Sequence, residues 1–292
     1  MAHRTLSLRP EPSCASVSPM GKRRLDILLA ERGLFPSRTR AAASIMAGEV
    51  RIGRGERRAA KPGELIDVEE LLAVDERPAF VSRGGIKLAN ALEACGLSVS
   101  GRRALDVGAS TGGFTDCLLQ RGAREVIALD VGYGTLDYSL RIDPRVRVME
   151  RSNARALEPG LLPAANDGSG DPPDMATIDV SFISLEKILG PVIGCLGRPF
   201  DILAMIKPQF EVGRGRVGKG GVVRDSGDRR DALIAVGRRA LELGTGVLGY
   251  HSSGLPGPKG NRESFIWLSE PGRPGSETDP GGLEALAREV EP

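Results

Sequence analysis

Cysteine and histidine are scarce in this chain, and the scarcity excludes several classes of protein. Its 292 residues hold four cysteines (Cys14, Cys95, Cys117 and Cys195), no two of them in CxxC spacing, and only two histidines. A disulfide framework and a zinc centre both need such residues in clustered pairs, so neither is expected, nor any other metal site. Long apolar runs are also missing. Runs such as Ile27-Leu28-Leu29-Ala30 stop far short of the ~20 residues of a membrane span. The first 20 residues have no apolar centre of the kind a secretory signal needs, and Pro10, Glu11 and Pro12 interrupt any amphipathic helix there. The expectation is a protein of the reduced cytoplasm with no membrane contact. Residues 1–20 read as a disordered tail, with Met20 as a candidate start.

What is present is unevenly distributed. Net charge is +2, yet residues 22–61 carry eleven lysines and arginines against four acids. Such a local excess marks a module that binds a polyanion, attached to a slightly acidic body. Within it, Leu25, Leu28 and Leu29 recur at helical spacing before Gly33, and Ser37 is placed to cap a second helix that Gly48 ends. "EVRIG" and the alternating "ELIDVEE", joined through the turn "KPGE", read as a small hairpin. Ordinary solvated helices mix their charges more evenly, whereas here basic residues outnumber acidic ones nearly three to one.

After a linker at residues 73–81, Ser82 precedes a helix striped by Leu88, Leu92 and Cys95. From Arg103 onward, seven short apolar segments ("RALDV", "EVIALDV", "VRVME", "MATIDV", "DILAMIK", "TGVLGYHS", "ESFIWLS") alternate with helical stretches at 113–121, 183–196 and 226–243. Such alternation predicts an α/β fold: a doubly wound, Rossmann-like sheet with helices on both faces, beside a small N-terminal α+β domain. The domain reading is 21–72 for the basic module and 82–270 for the sheet domain. Residues 163–174 form a Pro/Gly-rich loop. Residues 271–292, opening with "PGRPGSETDPGG", read as a low-complexity, disordered tail.

The first strand runs into "DVGASTGG". Dinucleotide sites use G-x-G-x-x-G because the second glycine lets backbone reach the pyrophosphate at a helix N-terminus. Here Gly108, Gly112 and Gly113 give G-x-x-x-G-G, and Ser110 stands where that second glycine belongs. A cofactor without phosphate tolerates this substitution, and S-adenosyl-L-methionine is such a cofactor. Asp106, at the strand's end, is the candidate partner of its amine. Asp130, closing the next strand 22 residues beyond Gly108, is the candidate partner of its ribose.

Two other stretches carry less than they suggest. "GRGRVGKG" (213–220) imitates a phosphate loop, but Gly220 replaces the hydroxyl that would hold magnesium. It reads instead as a flexible basic loop offering Arg214, Arg216 and Lys219 to phosphates. "DPPD" (171–174) precedes the fourth strand rather than following it, which argues against an exocyclic-amine methyltransferase. What does follow that strand is "IDVSFISL", with Asp179 where such sheets seat their ligands and no cysteine for carbon-5 methylation. Lys207 closes the fifth strand before Pro208, Glu263 opens the last strand, and Lys87 lies early in the helix before the sheet.

Two resemblances follow from these residues. Arg24-Leu25-Asp26, Gly33-Leu34, Ser37-Arg38, Ala41, Gly48-Glu49-Val50 and Lys61-Pro62-Gly63-Glu64 resemble the αL RNA-binding motif of a ribosomal small-subunit protein, with Ile52-Gly53-Arg54 departing from its usual Val-Asn-Gly. "SRGGIKL", "LDVGASTGGFTDCLL", "DVSFISL", "IKPQFEVG" and "GNRESFIWL" resemble the TlyA family, whose catalytic domain is of FtsJ type. That resemblance implies methylation of a ribose 2′-hydroxyl, with cytidine in ribosomal RNA as the acceptor and ribosomal RNA or subunits as partners. It also implies a Lys-Asp-Lys-Glu catalytic set at Lys87, Asp179, Lys207 and Glu263, and Asn153 near the adenine. Candidate RNA contacts in the basic module are Arg23, Arg24, Arg38, Arg40, Arg51 and Lys61. Some family members bear the name haemolysin, although nothing in this sequence resembles a pore or an anchor. An inactive RNA-binding assembly factor with the same fold is the alternative reading.

Overall fold

In the computed structural model the chain is described at residues 21–54, 57–75 and 78–291, so the tail read over 1–20 lies outside the described residues. It divides into two units, Met1–Pro78 and Ala79–Pro292. The first contains β1 (Lys22–Arg24), α1 (Leu25–Glu31), α2 (Arg38–Met46), β2 (Val50–Ile52), β3 (Arg57–Arg58), β4 (Leu65–Asp67) and β5 (Leu72–Val74). Leu25, Leu28 and Leu29 of α1 bury against Ala41 and Ile45 of α2, and Val50, Ile52 and Ile66 complete a small core. Ser37 caps α2 as its position predicts, accepting from the Arg40 N–H at 3.2 Å.

The strands pair differently from the expected hairpin. "ELIDVEE" supplies β4, which pairs antiparallel with β1, while β2 lies between β3 and β5. Alternation identifies a strand without naming its partner, and two further short strands compete for β2. Because β5 (Leu72–Val74) is one of them, residues 73 and 74 of the expected linker belong to the sheet.

The larger unit is built from α3 (Arg83–Cys95), β6 (Arg103–Val107), α4 (Gly113–Gln120), β7 (Glu125–Leu129), α5 (Tyr138–Arg141), β8 (Val146–Met149) and β9 (Met175–Ile178). It continues through α6 (Leu189–Gly194), β10 (Asp201–Ile206), α7 (Pro208–Glu211), α8 (Ser226–Glu242), β11 (Gly246–Ser252), β12 (Ser264–Ser269) and α9 (Leu283–Val290). Seven strands form one sheet in the order β11-β12-β10-β9-β6-β7-β8. The five from β10 to β8 are parallel, and β12 and β11 add antiparallel at one edge.

Alternation along the strands divides the core. Leu105, Val107, Ile127, Leu129, Ile202 and Ala204 face the layer of α6, α8 and α9, whereas Ala104, Val126, Ala128, Leu203 and Met205 face α3 and α4. Helices therefore cover both faces, as the alternation predicts. The chain leaves β6 toward β7 and β8, then returns past it to β9 and β10. The β6–β9 boundary is thus the topological switch point, where a crevice opens at the strands' carboxyl ends.

The C-terminal segment corrects the expected disordered tail. Val247 and Glu277 exchange backbone hydrogen bonds, and α9 then packs Leu283 and Ala287, both fully buried, into the main core. Arg229 of α8 donates to the Glu291 carboxylate at 2.7 Å, with both side chains buried, and Arg230 donates to the Glu291 carbonyl at 2.9 Å. Glycine and proline at 271–282 give the segment its low-complexity look. The stripe Leu283, Leu286, Ala287 and Val290 is nonetheless that of an amphipathic helix. Leu283→Ala should destabilise the folded chain by about 2–4 kcal/mol, as for buried leucines in general. Urea unfolding would show it, whereas an unpacked tail would leave the midpoint unchanged.

Candidate functional site

The turn after β6 is shaped by contact with the strand beside it. Gly108 has φ +86°, and a Cβ there would stand 2.5 Å from the Asp179 carbonyl oxygen, so only glycine allows β6 and β9 to run side by side at this point. The turn is held by Gly108 and Ala109 N–H groups, which donate to the Leu129 carbonyl at 2.8 and 3.0 Å. Ser110, at the position of the missing glycine, nevertheless takes a left-handed conformation (φ +50°). Its N–H is held by Asp130 Oδ2 at 2.8 Å, and its carbonyl accepts from Thr135 Oγ1 at 3.2 Å. Gly112 caps α4 under Leu136 and Leu140. Gly113 begins α4 so close to α3 that a Cβ would fall 2.1 Å from Ser82 Oγ.

These elements wall a cavity of about 380 Å³ whose lining includes Ser82, Lys87, Gly108, Ser110, Asp179 and Pro256. The volume falls within the range of small-molecule sites. Of the seven residues predicted for the cofactor, Gly108, Ser110 and Gly113 line it. Asp130 borders the turn and also accepts the Gly132 N–H, at 2.6 Å. Asn153 caps the turn at Ala154–Ala156 by accepting from the Arg155 N–H, and it does not line the cavity.

Asp106 is the principal correction. It is fully buried beneath the turn, and its two carboxylate oxygens accept from Thr115 of α4 at 2.6 Å and from Thr177 of β9 at 3.1 Å. It therefore joins the helix to the strand rather than facing a ligand. Burial pushes its carboxyl up to about 7 from an ordinary 3.8, against the pull of the two hydroxyls.

The four predicted catalytic side chains come together as two ion pairs. Lys87 of α3, 7% exposed, donates to the Glu263 carboxylate immediately before β12, also buried. Lys207, just past β10, sits 2.6 Å from Asp179 Oδ1, just past β9, and donates to Ser181 Oγ at 2.9 Å. Lys87 and Asp179 both line the cavity, so one member of each pair faces it. Pro208 begins α7 directly after Lys207.

Sequence reasoning missed Ser181 and Phe182. Phe182 is 92% exposed, takes φ +66°, and lies with its ring centre 5.4 Å from that of Phe210. A bulky residue held left-handed is strained, and strain of this kind collects at functional sites. The signal available in the sequence was the aromatic three residues after Asp179 in "DVSFISL".

The predicted RNA contacts divide into committed and available cations. Arg24 and Arg38 both hold the buried Asp26, whose carboxyl they keep down at about 2. Arg23 pairs with Glu31 and Arg51 with Asp75. In the loop after α7, Arg216 is held by Asp228 and Asp231, and Gly218 pairs with Val222 across the loop. Arg40, Lys61, Arg214 and Lys219 are exposed.

Asp106 has a consequence for stability. Between about pH 4 and pH 7 the folded chain keeps a proton that the unfolded chain has released. The stabilisation this group gives is therefore complete below that window and lost as pH rises through it. Asp106→Asn stays neutral at every pH, so its stability relative to the parent should rise between pH 5 and pH 8. Thermal unfolding at those two values checks this, and an unchanged gap would contradict the assignment.

Residues 80–270 match the model of the FtsJ-like methyltransferase family. Over 247 residues the chain is 51% identical to the 16S/23S rRNA (cytidine-2′-O)-methyltransferase TlyA of Mycobacterium tuberculosis, covering 84% of this chain and 89% of that protein. It is 38% identical to Hemolysin A of Brachyspira hyodysenteriae, over 82% of this chain and 97% of that one. A solved haemolysin-named structure from Streptococcus thermophilus superposes with a TM-score of 0.66 at 40% identity, covering 93% and 96% of the two chains. With its glycine turn at the switch point and its two lysine–carboxylate pairs, the chain belongs to the TlyA family and carries an FtsJ-like methyltransferase domain.

Proposed function

We propose that this enzyme transfers a methyl group from S-adenosylmethionine to the 2′-hydroxyl of a cytidine in ribosomal RNA, with the basic N-terminal unit docking on the RNA. The observation that carries the reading is the pair of lysine–carboxylate contacts meeting at one cavity beside a glycine turn without the pyrophosphate spacing. The M. tuberculosis relative's name supports the acceptor chemistry and the cytidine. A ribosomal substrate implies a cytoplasmic enzyme.

The residues fit such a cofactor. The cradle at Gly108 and Gly113 has no room for side chains, which leaves backbone to face a ligand. Asp130, beside the turn, supplies an acceptor for ribose hydroxyls, and Ser110 shapes the wall between them. When bound, S-adenosylmethionine supplies a methyl group made electrophilic by its sulfonium.

The chain's own residues handle the acceptor. A ribose hydroxyl is a poor nucleophile, so it must be oriented at near-attack distance and relieved of its proton as the new bond forms. Lys207 takes that proton at Nζ. Asp179 and Ser181 hold the amine in place at 2.6 and 2.9 Å. Lys87, held by Glu263, orients the acceptor from the cavity lining. Phe182 offers an exposed aromatic face beside Asp179, a surface on which unpaired bases stack.

Lys207→Ala should reduce tritiated-methyl transfer to ribosomal subunits by at least a thousandfold while binding S-adenosylmethionine within about threefold of the parent. Retained turnover would refute the assignment of the base, and a parent chain that transfers no methyl would favour the assembly-factor reading. RNA docking makes a separate prediction. For each phosphate that a lysine or arginine no longer neutralises, the slope of log affinity against log salt falls by about 0.7–0.9. Arg40→Ala with Lys61→Ala should therefore flatten the salt dependence of RNA binding measurably, and an unchanged slope would remove these two residues from the interface.

A further inference from the structure

Two loops meet beside Glu263. The first is the basic loop 213–223, footed by the ion pairs of Arg216 with Asp228 and Asp231 and closed by the pairing of Gly218 with Val222. The second, residues 253–262 with the sequence SGLPGPKGNR, walls the cavity with Pro256 and Pro258. Asn261, only 2% exposed, joins them. Its Oδ1 accepts from the Val223 N–H at 2.9 Å and its Nδ2 donates to the Gly221 carbonyl at 2.8 Å. Across the same joint, Lys259 Nζ lies 3.6 Å from where a Cβ on Gly221 would stand.

The second loop is also pressed against the catalytic set. Gly257 N–H donates to the Asn261 carbonyl at 2.9 Å, and a Cβ on Gly257 would stand 2.3 Å from Glu263 Oε1. The other end of the loop is tied to the helix that carries Lys87. Arg83 donates to the Pro256 carbonyl at 2.8 Å, and Asn90 donates to the Ser253 carbonyl at 3.0 Å. The loop thus bridges α3 to the start of β12, with no free space between Gly257 and the Glu263 carboxylate.

We propose that Asn261 is a positioning residue that couples the basic loop to the Lys87–Glu263 pair. An RNA phosphate seated on Arg214 and Lys219 stiffens the basic loop. Through Asn261 that stiffness is passed to the wall loop, which holds Gly257 against Glu263. The inference rests on the proposed methylation of RNA, since RNA phosphates are the anions the loop would seat. An amide suits the joint because one end must accept from the buried Val223 N–H and the other donate to the half-buried Gly221 carbonyl. Alanine would leave the Val223 N–H and the Gly221 carbonyl unmatched, while aspartate keeps only the acceptor.

The test uses the full chain with ribosomal subunits as substrate. Asn261→Ala should lower kcat at least tenfold with KM for S-adenosylmethionine changed less than threefold. Should that variant fold poorly, Asn261→Asp should show the same split to a smaller degree. Gly257→Ala keeps the Asn261 hydrogen bonds but displaces Glu263, so its kcat should fall comparably. The coupling itself is read by a cycle. Arg214→Ala with Lys219→Ala should lower kcat and raise KM for RNA in the parent, but only raise KM when Asn261 is alanine.

Parent-like kcat in Asn261→Ala or in Gly257→Ala overturns the proposal, as does a loop effect confined to KM in the parent. Acetic anhydride labelling of Lys87, read by mass spectrometry without RNA, provides a readout independent of methyl transfer. It should rise severalfold in both single variants, and unchanged labelling in both overturns the positioning role. A parent chain that transfers no methyl fails the functional reading, and the labelling then decides this proposal separately.

Discussion

The site depends on one close approach. Where β6 and β9 run parallel at the switch point, the chain at Gly108 lies so close to the Asp179 carbonyl that no side chain fits between them. That approach sets the glycine turn and the Asp179 carboxylate side by side, although Gly108 and Asp179 are 71 residues apart in the chain (179 − 108). Asp106 holds the arrangement from below, its carboxylate shared between Thr115 of the following helix and Thr177 of the neighbouring strand. The acid under the turn is thus a structural strut.

Around this crevice, charge is stable only in pairs. A buried ammonium or carboxylate without a partner is costly, and removing one member of a buried pair leaves the other uncompensated. Lys87 with Glu263 and Lys207 with Asp179 meet that requirement while drawing on four separate segments of the chain. The same pairing that makes burial tolerable also fixes the direction of each amine. Geometry suited to reaction is therefore held by interactions the folded chain already needs.

Pairing also changes what the basic module means. The excess of lysine and arginine over residues 22–61 is a property of composition, but Arg24 and Arg38 are occupied by Asp26 and Arg51 by Asp75. Charge counting along the chain overstates the cations free to meet RNA. The same holds after α7, where Arg216 anchors its loop while Arg214 and Lys219 remain exposed.

Much of the fold was legible because period and punctuation are local. The seven strands of the larger unit, the helix capped by Ser37, and the glycine turn all follow from side-chain alternation and caps within a few residues. The four candidate catalytic positions are proposed from residue types, three of them beside strand ends and Lys87 in the helix before the sheet, and from family motifs. Pairing was not legible: which lysine meets which carboxylate, that Asp106 turns inward, that β4 joins β1, and that α9 docks on α8 all depend on distances across tens to hundreds of residues. The left-handed Ser110 and Phe182 were hidden for the same reason, since tertiary contacts hold each against its local preference. The sequence alone determined the order of elements and the chemistry available at their ends. Only the packed sheet decided which of those groups touch, because contact between distant segments is set by how strands cross and what can be buried between them.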